Sequence, residues 1–342
     1  MRYGLSEPPT SRFRGIHFPV QSSVLDEEAL VSSVLSAYRI RTPISCRFLT
    51  RGDSDIYRVK TATDSYYLKV YRPPQSRQSA EGEASFVMAL AAAEVPVVRP
   101  VPRNDGCFAH QVAAPEGERP MLLFEEAPPP LPSRLDESLL ARAGAEVASL
   151  HAAADELDGD LGLGHMQWDA FLRDSVHHTS RFLSERDKES LERISADLGT
   201  ILAALPNDAP EFGPCHGDLV LSNLRLAMDG TITFLDFGNA LATWRAYELA
   251  TIRSSLGSRH EDRQDSLWRS FLEGYESVRP LPEVLREHLS AMMILRQISF
   301  LGGNCATLPL RLGTEPLEAG FIQDGMERLR ALVEGIGTGH GE

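Results

Sequence analysis

Along this chain the spacing of apolar positions shifts between the period of a helix and that of a strand. Residues 26–39, "DEEALVSSVLSAYR", set apolar side chains at helical spacing behind acids in the first turn, which predicts a helix. "CRFLTRGDSDIYRVKT" (46–61) and "DSYYLKVYRP" (64–73) each predict a strand, with "TATD" turning between them. The helical period returns in "SAEGEASFVMALAAAE" (79–94) and stops at "VPVVRPVP", whose prolines lack an amide donor and clash with a continuing helix. "CFAHQVAAPEGERPMLLFEEA" (107–127) reads as a hairpin whose second strand ends near Glu125.

At "APPPLPS" (127–133) the texture changes, because four prolines in seven residues make a stiff crossover rather than a helix or a paired strand. Beyond it, helices are predicted over 136–155, 167–184, 186–204, 243–256, 260–277, 282–300 and 315–335. The exception is 214–240, "PCHGDLVLSNLRLAMDGTITFLDFGNA". There a loop leads into a short apolar strand, "AMDG" forms a tip, and a second strand ends at Asp236. The expected fold class is α+β with two lobes. Residues 1–126 form an N-terminal antiparallel sheet with one main helix, and residues 127–342 form a larger, mostly helical lobe.

Composition narrows the partners. The 342 residues carry 48 acids against 34 bases, a formal charge of −14. That balance argues against nucleic acid or an anionic membrane as partner, since both require a basic face. The start of the chain has no apolar signal core, and no run of eighteen apolar residues appears. Cys46, Cys107, Cys215 and Cys305 fit no metal spacing and read as reduced thiols. A cytoplasmic monomer or homodimer is expected.

The 214–240 hairpin would gather Asp218, Asn223 and Asp236 at one end. Phosphoryl transfer from ATP requires a carboxylate to take the acceptor's proton, oxygen ligands to hold Mg²⁺, and a cation on the phosphates. Asp218 suits the first role, and Asn223 with Asp236 suits the second, because magnesium prefers hard oxygen donors. The spacing His216-x-Asp218-x4-Asn223 followed by Asp236-Phe237-Gly238 is that of protein-kinase catalytic loops.

For the cation, Lys69 sits in an apolar strand, either facing solvent at a sheet edge or paired inside. Glu83 on the next helix is its expected partner, since Val87 and Leu90 one and two turns later mark the inward face. Glu81 is the competitor. Backbone amides from Gly52 through Ser54 to Asp55 are candidates to cover phosphate, although the segment holds a single glycine. The acidic runs at 125–127, 136–138 and 154–160 suit either a cationic acceptor or a solvated surface. His177 and His178 are adjacent and point to different helix faces, and Trp168, Trp244 and Trp268 read as packing residues rather than a cation cage.

With "HGDLVLSNL" and "LDFGNA" in place, the chain resembles the aminoglycoside phosphotransferase and choline kinase superfamily, which shares the protein-kinase fold. The resemblance runs from about Phe48 to the C-terminal helices and includes "SLHAAAD". "YYLKVYRPPQSRQSAEGEASFVMALAAAEVPVVRPV" is most similar to the stress-response kinase and homoserine kinase branches, and "WRAYELATIRSSL" to the same branches and the hydroxylysine kinases. The resemblance implies Asp218 as catalytic base, Asn223 and Asp236 as magnesium ligands, and Lys69 on the α- and β-phosphates with Glu83 bracing it. It also implies that Phe124, Glu125 and Glu126 bind adenine through their backbone. The implied activity is transfer of the γ-phosphate of ATP to a hydroxyl of a small, amine-bearing metabolite or antibiotic. The alternatives are a Ser/Thr protein kinase of the stress-response type and a weakly catalytic nucleotide-binding scaffold. Two features depart from the family: Val220-Leu221-Ser222 replaces its His-x-Gly, and the first sixteen or so residues match none of its pattern.

Overall fold

The structure, a computed structural model, describes residues 20, 22–157, 161–257, 263–307 and 320–337. The expected N-terminal extension (1–16) and parts of the helices expected at 260–277 and 315–335 lie outside the described residues. Helix α1 (Glu27–Ala29) is capped by Asp26, whose carboxylate accepts the Ala29 N–H at 2.8 Å. It runs on as a π turn (Leu30–Val34) and a 3₁₀ turn (Leu35–Ala37), where a regular helix was expected. The wider winding brings Leu30 and Leu35, both buried, onto the side that faces the sheet.

That sheet comprises β1 (Ser45–Arg51), β2 (Ser54–Lys60) and β3 (Ser65–Tyr71), then, after helix α2 (Arg77–Ala92), β4 (His110–Ala114) and β5 (Gly117–Glu125). Its order is β1-β2-β3-β5-β4, antiparallel throughout. The stretch 46–61, expected as one strand, is therefore two, folded back at Gly52 and Asp53 with Arg51 opposite Asp55. So short a turn leaves the alternation nearly unbroken, and period alone does not reveal it. The α1 segment covers one face of the sheet over Tyr57, Val59, Leu68 and Val70, and α2 covers the other. With both faces covered, Leu68, Lys69, Val70 and Tyr71 are all buried. Strand β3 is internal, so the solvent-facing edge lysine is ruled out.

The second lobe holds α3 (Glu137–Asp155), β6 (Gly164–His165), α4 (Trp168–Ser180), α5 (Glu185–Ala203), β7 (Phe212–Cys215), β8 (Leu224–Leu226), β9 (Ile232–Phe234) and β10 (Leu241–Trp244). Helices α6 (Arg245–Gly257), α7 (Gln264–Val278), α8 (Glu283–Glu287), α9 (Leu289–Thr307) and α10 (Gly320–Gly337) follow. Three expectations are corrected. The helix at 243–256 starts at Arg245, because residues 241–244 are a strand between β6 and β7. The helix at 282–300 is two, α8 and α9. Strands β6 and β7 were not expected, since two to four residues carry no measurable alternation. Phe86, Val87 and Leu90 of α2 join the core of this helical lobe, so α2 ties the two lobes together. Among the described residues no helix is long and apolar enough to cross a membrane.

Candidate active site

Lys69 projects from β3 into the junction of the lobes. Its Nζ donates to Asp236 Oδ1 at 2.6 Å and to Glu83 Oε1 at 3.2 Å, and lies 4.6 Å from the centre of the Tyr71 ring. Burial works against the ammonium charge, but Glu83 and Asp236 outweigh it and hold the lysine pKa above its ordinary value. Asp236 is pushed up by desolvation and pulled down further by the Lys69 charge, so its carboxyl stays below the usual range. The Tyr71 hydroxyl donates to the other oxygen of Glu83, which fixes that carboxylate from two sides. Glu81 faces elsewhere: it accepts the Phe108 and Ala109 amides at 2.9 and 2.7 Å and makes no contact with Lys69.

Two local backbone features make this cluster possible. Asp236 adopts φ +68°, a left-handed conformation that non-glycine residues hold only when their surroundings enforce it. A Cβ on Gly238 would lie 2.5 Å from Lys69 Nζ, so any larger residue there would press on the ammonium held by Glu83 and Asp236. Phe237 is buried edge-on to Phe86 at 5.8 Å and beside His216 at 4.4 Å, linking α2 to the catalytic loop.

The loop carrying Asp218 begins at Gly217, where φ is +83° and a Cβ would fall 1.9 Å from the Asn239 carbonyl oxygen. His216 Nε2 lies 2.9 Å from the Leu235 carbonyl and so carries the proton, leaving Nδ1 to accept the Asp218 amide at 3.4 Å. Asn223 Nδ2 donates to the Asp218 backbone carbonyl at 2.9 Å, and the backbone carbonyl of Asn223 accepts the Leu235 amide at 3.1 Å. Asp218 and Asp236 thus come from separate arms of one hairpin and both line a cleft of about 490 Å³ with Lys69.

Behind the loop stands a brace that sequence reasoning missed. Glu248 of α6 is fully buried and accepts the amides of His216 (3.1 Å) and Gly217 (2.9 Å) together with His151 Nε2 (2.9 Å). His151 Nδ1 in turn accepts from the Tyr275 hydroxyl at 2.9 Å. Burial drives the His151 pKa down to about 4, so the ring is neutral. Burial opposes the Glu248 charge, but the bonds from His151 and the loop prevail and lower its pKa to about 2. Cys215 lies beside this pair, and burial pushes its thiol pKa up. A protonated thiol and a fully engaged carboxylate make the trio a structural network rather than a metal site. Both "SLHAAAD" and "WRAYELATIRSSL" contain brace residues, yet a buried His and Glu on apolar helices give no sign of their target until the helices are packed.

Arg296 of α9 was also missed. Its Nη2 donates to Asp218 Oδ1 at 2.7 Å from a mostly buried position. Arg72, which pairs with buried Asp55 at 3.2 Å, lines the cleft as well. Gly52 and Ser54 line the cleft as expected of a phosphate-covering turn, but the Gly52 amide is bonded to the Ser54 carbonyl at 3.0 Å.

Phe124, Glu125 and Glu126 do not line the cleft. The Glu125 amide donates to the Arg99 carbonyl at 3.0 Å, and the Glu126 carboxylate pairs with Arg58 at 3.0 Å. Of the other acidic runs, Asp136 caps α3 and Asp155 pairs with Arg245 and Arg279, and residues 158–160 lie outside the described residues. Trp244 and Trp268 are core residues, with Trp168 packed against the same core.

A profile of the phosphotransferase enzyme family matches residues 45–288. An uncharacterised protein of Synechocystis sp. is 31% identical over 302 residues, spanning 86% of this chain and 81% of its own. A homoserine kinase of Gluconobacter oxydans is 23% identical over 278 residues, 79% of this chain and 85% of its own. The solved structure of an amicoumacin kinase in complex with AMP-PNP and Ca²⁺ superposes with a TM-score of 0.75 at 17% identity, covering 91% of this chain and 93% of that one. The two-lobe α+β fold is thus kinase-like, and the chain belongs to the phosphotransferase enzyme family.

Proposed function

We propose that this protein transfers the γ-phosphate of ATP to a hydroxyl of a small, amine-bearing molecule, with Mg²⁺ as the metal. The observation that carries this is the convergence of Lys69, Asp218 and Asp236 on one cleft between the lobes. Lys69 is the phosphate cation and Glu83, locked by Tyr71, is its positioning residue. The donor set suits a hard divalent ion. Asp236 is about half exposed toward the cleft, and Asn223 gives its N–H to the Asp218 carbonyl, which leaves the amide oxygen as a ligand. When bound there, Mg²⁺ neutralises charge that builds on the phosphate oxygens.

In the transfer, the acceptor oxygen bonds to the γ-phosphorus, the bond from that phosphorus to the β–γ bridging oxygen breaks, and ADP leaves. The acceptor proton goes to Asp218. Arg296 engages Oδ1, so Oδ2 is the oxygen placed to receive it. The amine in the acceptor is supported by the likeness to a homoserine kinase, not by an acidic wall in the cleft.

The test is Asp218→Asn, assayed with Mg-ATP and a panel of amino alcohols, hydroxy amino acids and aminoglycosides. Turnover should fall about a hundredfold or more, the scale of a lost general base, while the Mg-ATP dissociation constant moves only a few-fold. Preserved turnover with collapsed nucleotide affinity would make Asp218 a metal ligand and refute the assignment.

A further inference from the structure

Past Asp218 the cleft opens between the catalytic loop and α9 into a cavity of about 560 Å³. Its acidic lining residues are Asp53 and Asp218, the first in the phosphate-side turn and the second the proposed base. Its one cationic lining residue among those described is Arg296. Arg296 and Phe300 also line a neighbouring pocket of about 260 Å³ formed with Ser222, Thr251, Ser254 and Arg328. Among the described residues, that pocket has two arginines and no acidic residue in its lining. Arg328, on α10, is exposed and makes no ion pair with any described residue.

We propose that the acceptor carries an oxyanion group, a carboxylate or a phosphate ester, that docks on Arg296 and Arg328 while its hydroxyl lies at Asp218. This deepens the phosphotransferase reading and rests on it. An ammonium directed into the pocket that Arg296 shares with Arg328 would face two guanidinium groups and, among the described residues, no carboxylate to receive it, whereas an oxyanion would be received by both. A guanidinium has five N–H donors in a planar fork matched to two oxygens. Asp218 accepts from Nη2 of Arg296, which leaves Arg296 able to hold the base and an incoming oxyanion together. The departure Val220-Leu221-Ser222 lies in the wall of the same pocket, so the loop that differs from the family pattern is the one that would meet this group. An amine on the acceptor is compatible if it points away from the two arginines.

The experiment compares acceptors that share a hydroxyl scaffold and differ in the anion: 3-aminopropanol with homoserine, 1-aminopropan-2-ol with threonine, and glycerol with glycerate and glycerol 3-phosphate. The anion-bearing member should be used at least tenfold better in kcat/KM, and the glycerol set separates carboxylate from phosphate ester. Arg328→Gln should raise KM for that member about tenfold with little change in kcat, the signature of lost uniform binding. Equal or better use of the anion-free members, or an unmoved KM in Arg328→Gln, overturns the proposal.

A second measurement is independent of turnover. With the protein saturated by Mg-AMP-PNP, the ³¹P line of inorganic phosphate should broaden, and the broadening should vanish in the Arg296→Gln/Arg328→Gln double variant. No broadening with the unaltered protein overturns the anion site. Broadening that the variant abolishes, with no phosphorylation of any acceptor, leaves the site standing and removes the proposed activity.

Discussion

Replacing Glu248 tests whether the catalytic loop is held from behind. The carboxylate is fully buried and receives three N–H donors, two of them the backbone amides immediately before Asp218. Glu248→Gln keeps the shape but turns one oxygen into an amide nitrogen, which must then face a donor. An unmet buried donor costs about 1–3 kcal/mol, and the remaining bonds lose their charge assistance. A total near 3 kcal/mol is expected, and more, about 3–9 kcal/mol, for Glu248→Ala, which strands all three donors. Function should suffer separately. The freed His216–Gly217 amides let Asp218 shift, and a displacement of about 1 Å costs on the order of a hundredfold in kcat. Urea denaturation gives the stability change, and steady-state kinetics on the folded fraction give kcat beside the Mg-ATP dissociation constant. Affinity for Mg-ATP should change little, because Lys69 and Asp236 are held by other contacts. A Glu248→Gln protein with unaltered stability and kcat would refute the brace.

The same network makes stability pH-dependent. His151 is held neutral with its pKa lowered from 6.5 to about 4, so on acidification the unfolded chain takes up this proton first. At about 1.4 kcal/mol per tenfold in proton affinity, roughly 3 kcal/mol of stability should be present above pH 6.5 and lost as pH falls toward 4. Glu248, lowered from 4.5 to about 2, extends the loss below pH 4.5, and a urea midpoint that stays flat from pH 7 to 4 would contradict this. Gly238→Ala should weaken Mg-ATP binding at least tenfold by displacing the Lys69 ammonium, and calorimetry reading wild-type affinity would show that the ammonium has room to move. Lys69→Ala, Glu83→Ala and the double variant should lose similar activity. Strictly additive losses in that cycle would mean that the 3.2 Å contact does not position the lysine.

What the sequence determined by itself is the part that depends on local order. Period and proline placement separated a strand-rich first lobe from a helical second one, and the spacing of His216, Asp218, Asn223 and Asp236 picked out a candidate phosphotransfer loop, because these residues are neighbours along one hairpin. The preference for Glu83 over Glu81 was also within reach, since the inward face of α2 follows from Val87 and Leu90. Tertiary structure alone decided what acts across the chain. Glu248 and His151 sit 97 positions apart and meet only once the helical lobe is assembled. Arg296 reaches Asp218 across 78 positions. The fold at Gly52, the engaged amides of Gly52 and Glu125, and the short strands β6, β7 and β10 were hidden for a related reason. A hydrogen bond to a distant carbonyl, or a strand of two to four residues, leaves no periodic trace in the sequence, because its partner is chosen by packing and not by spacing.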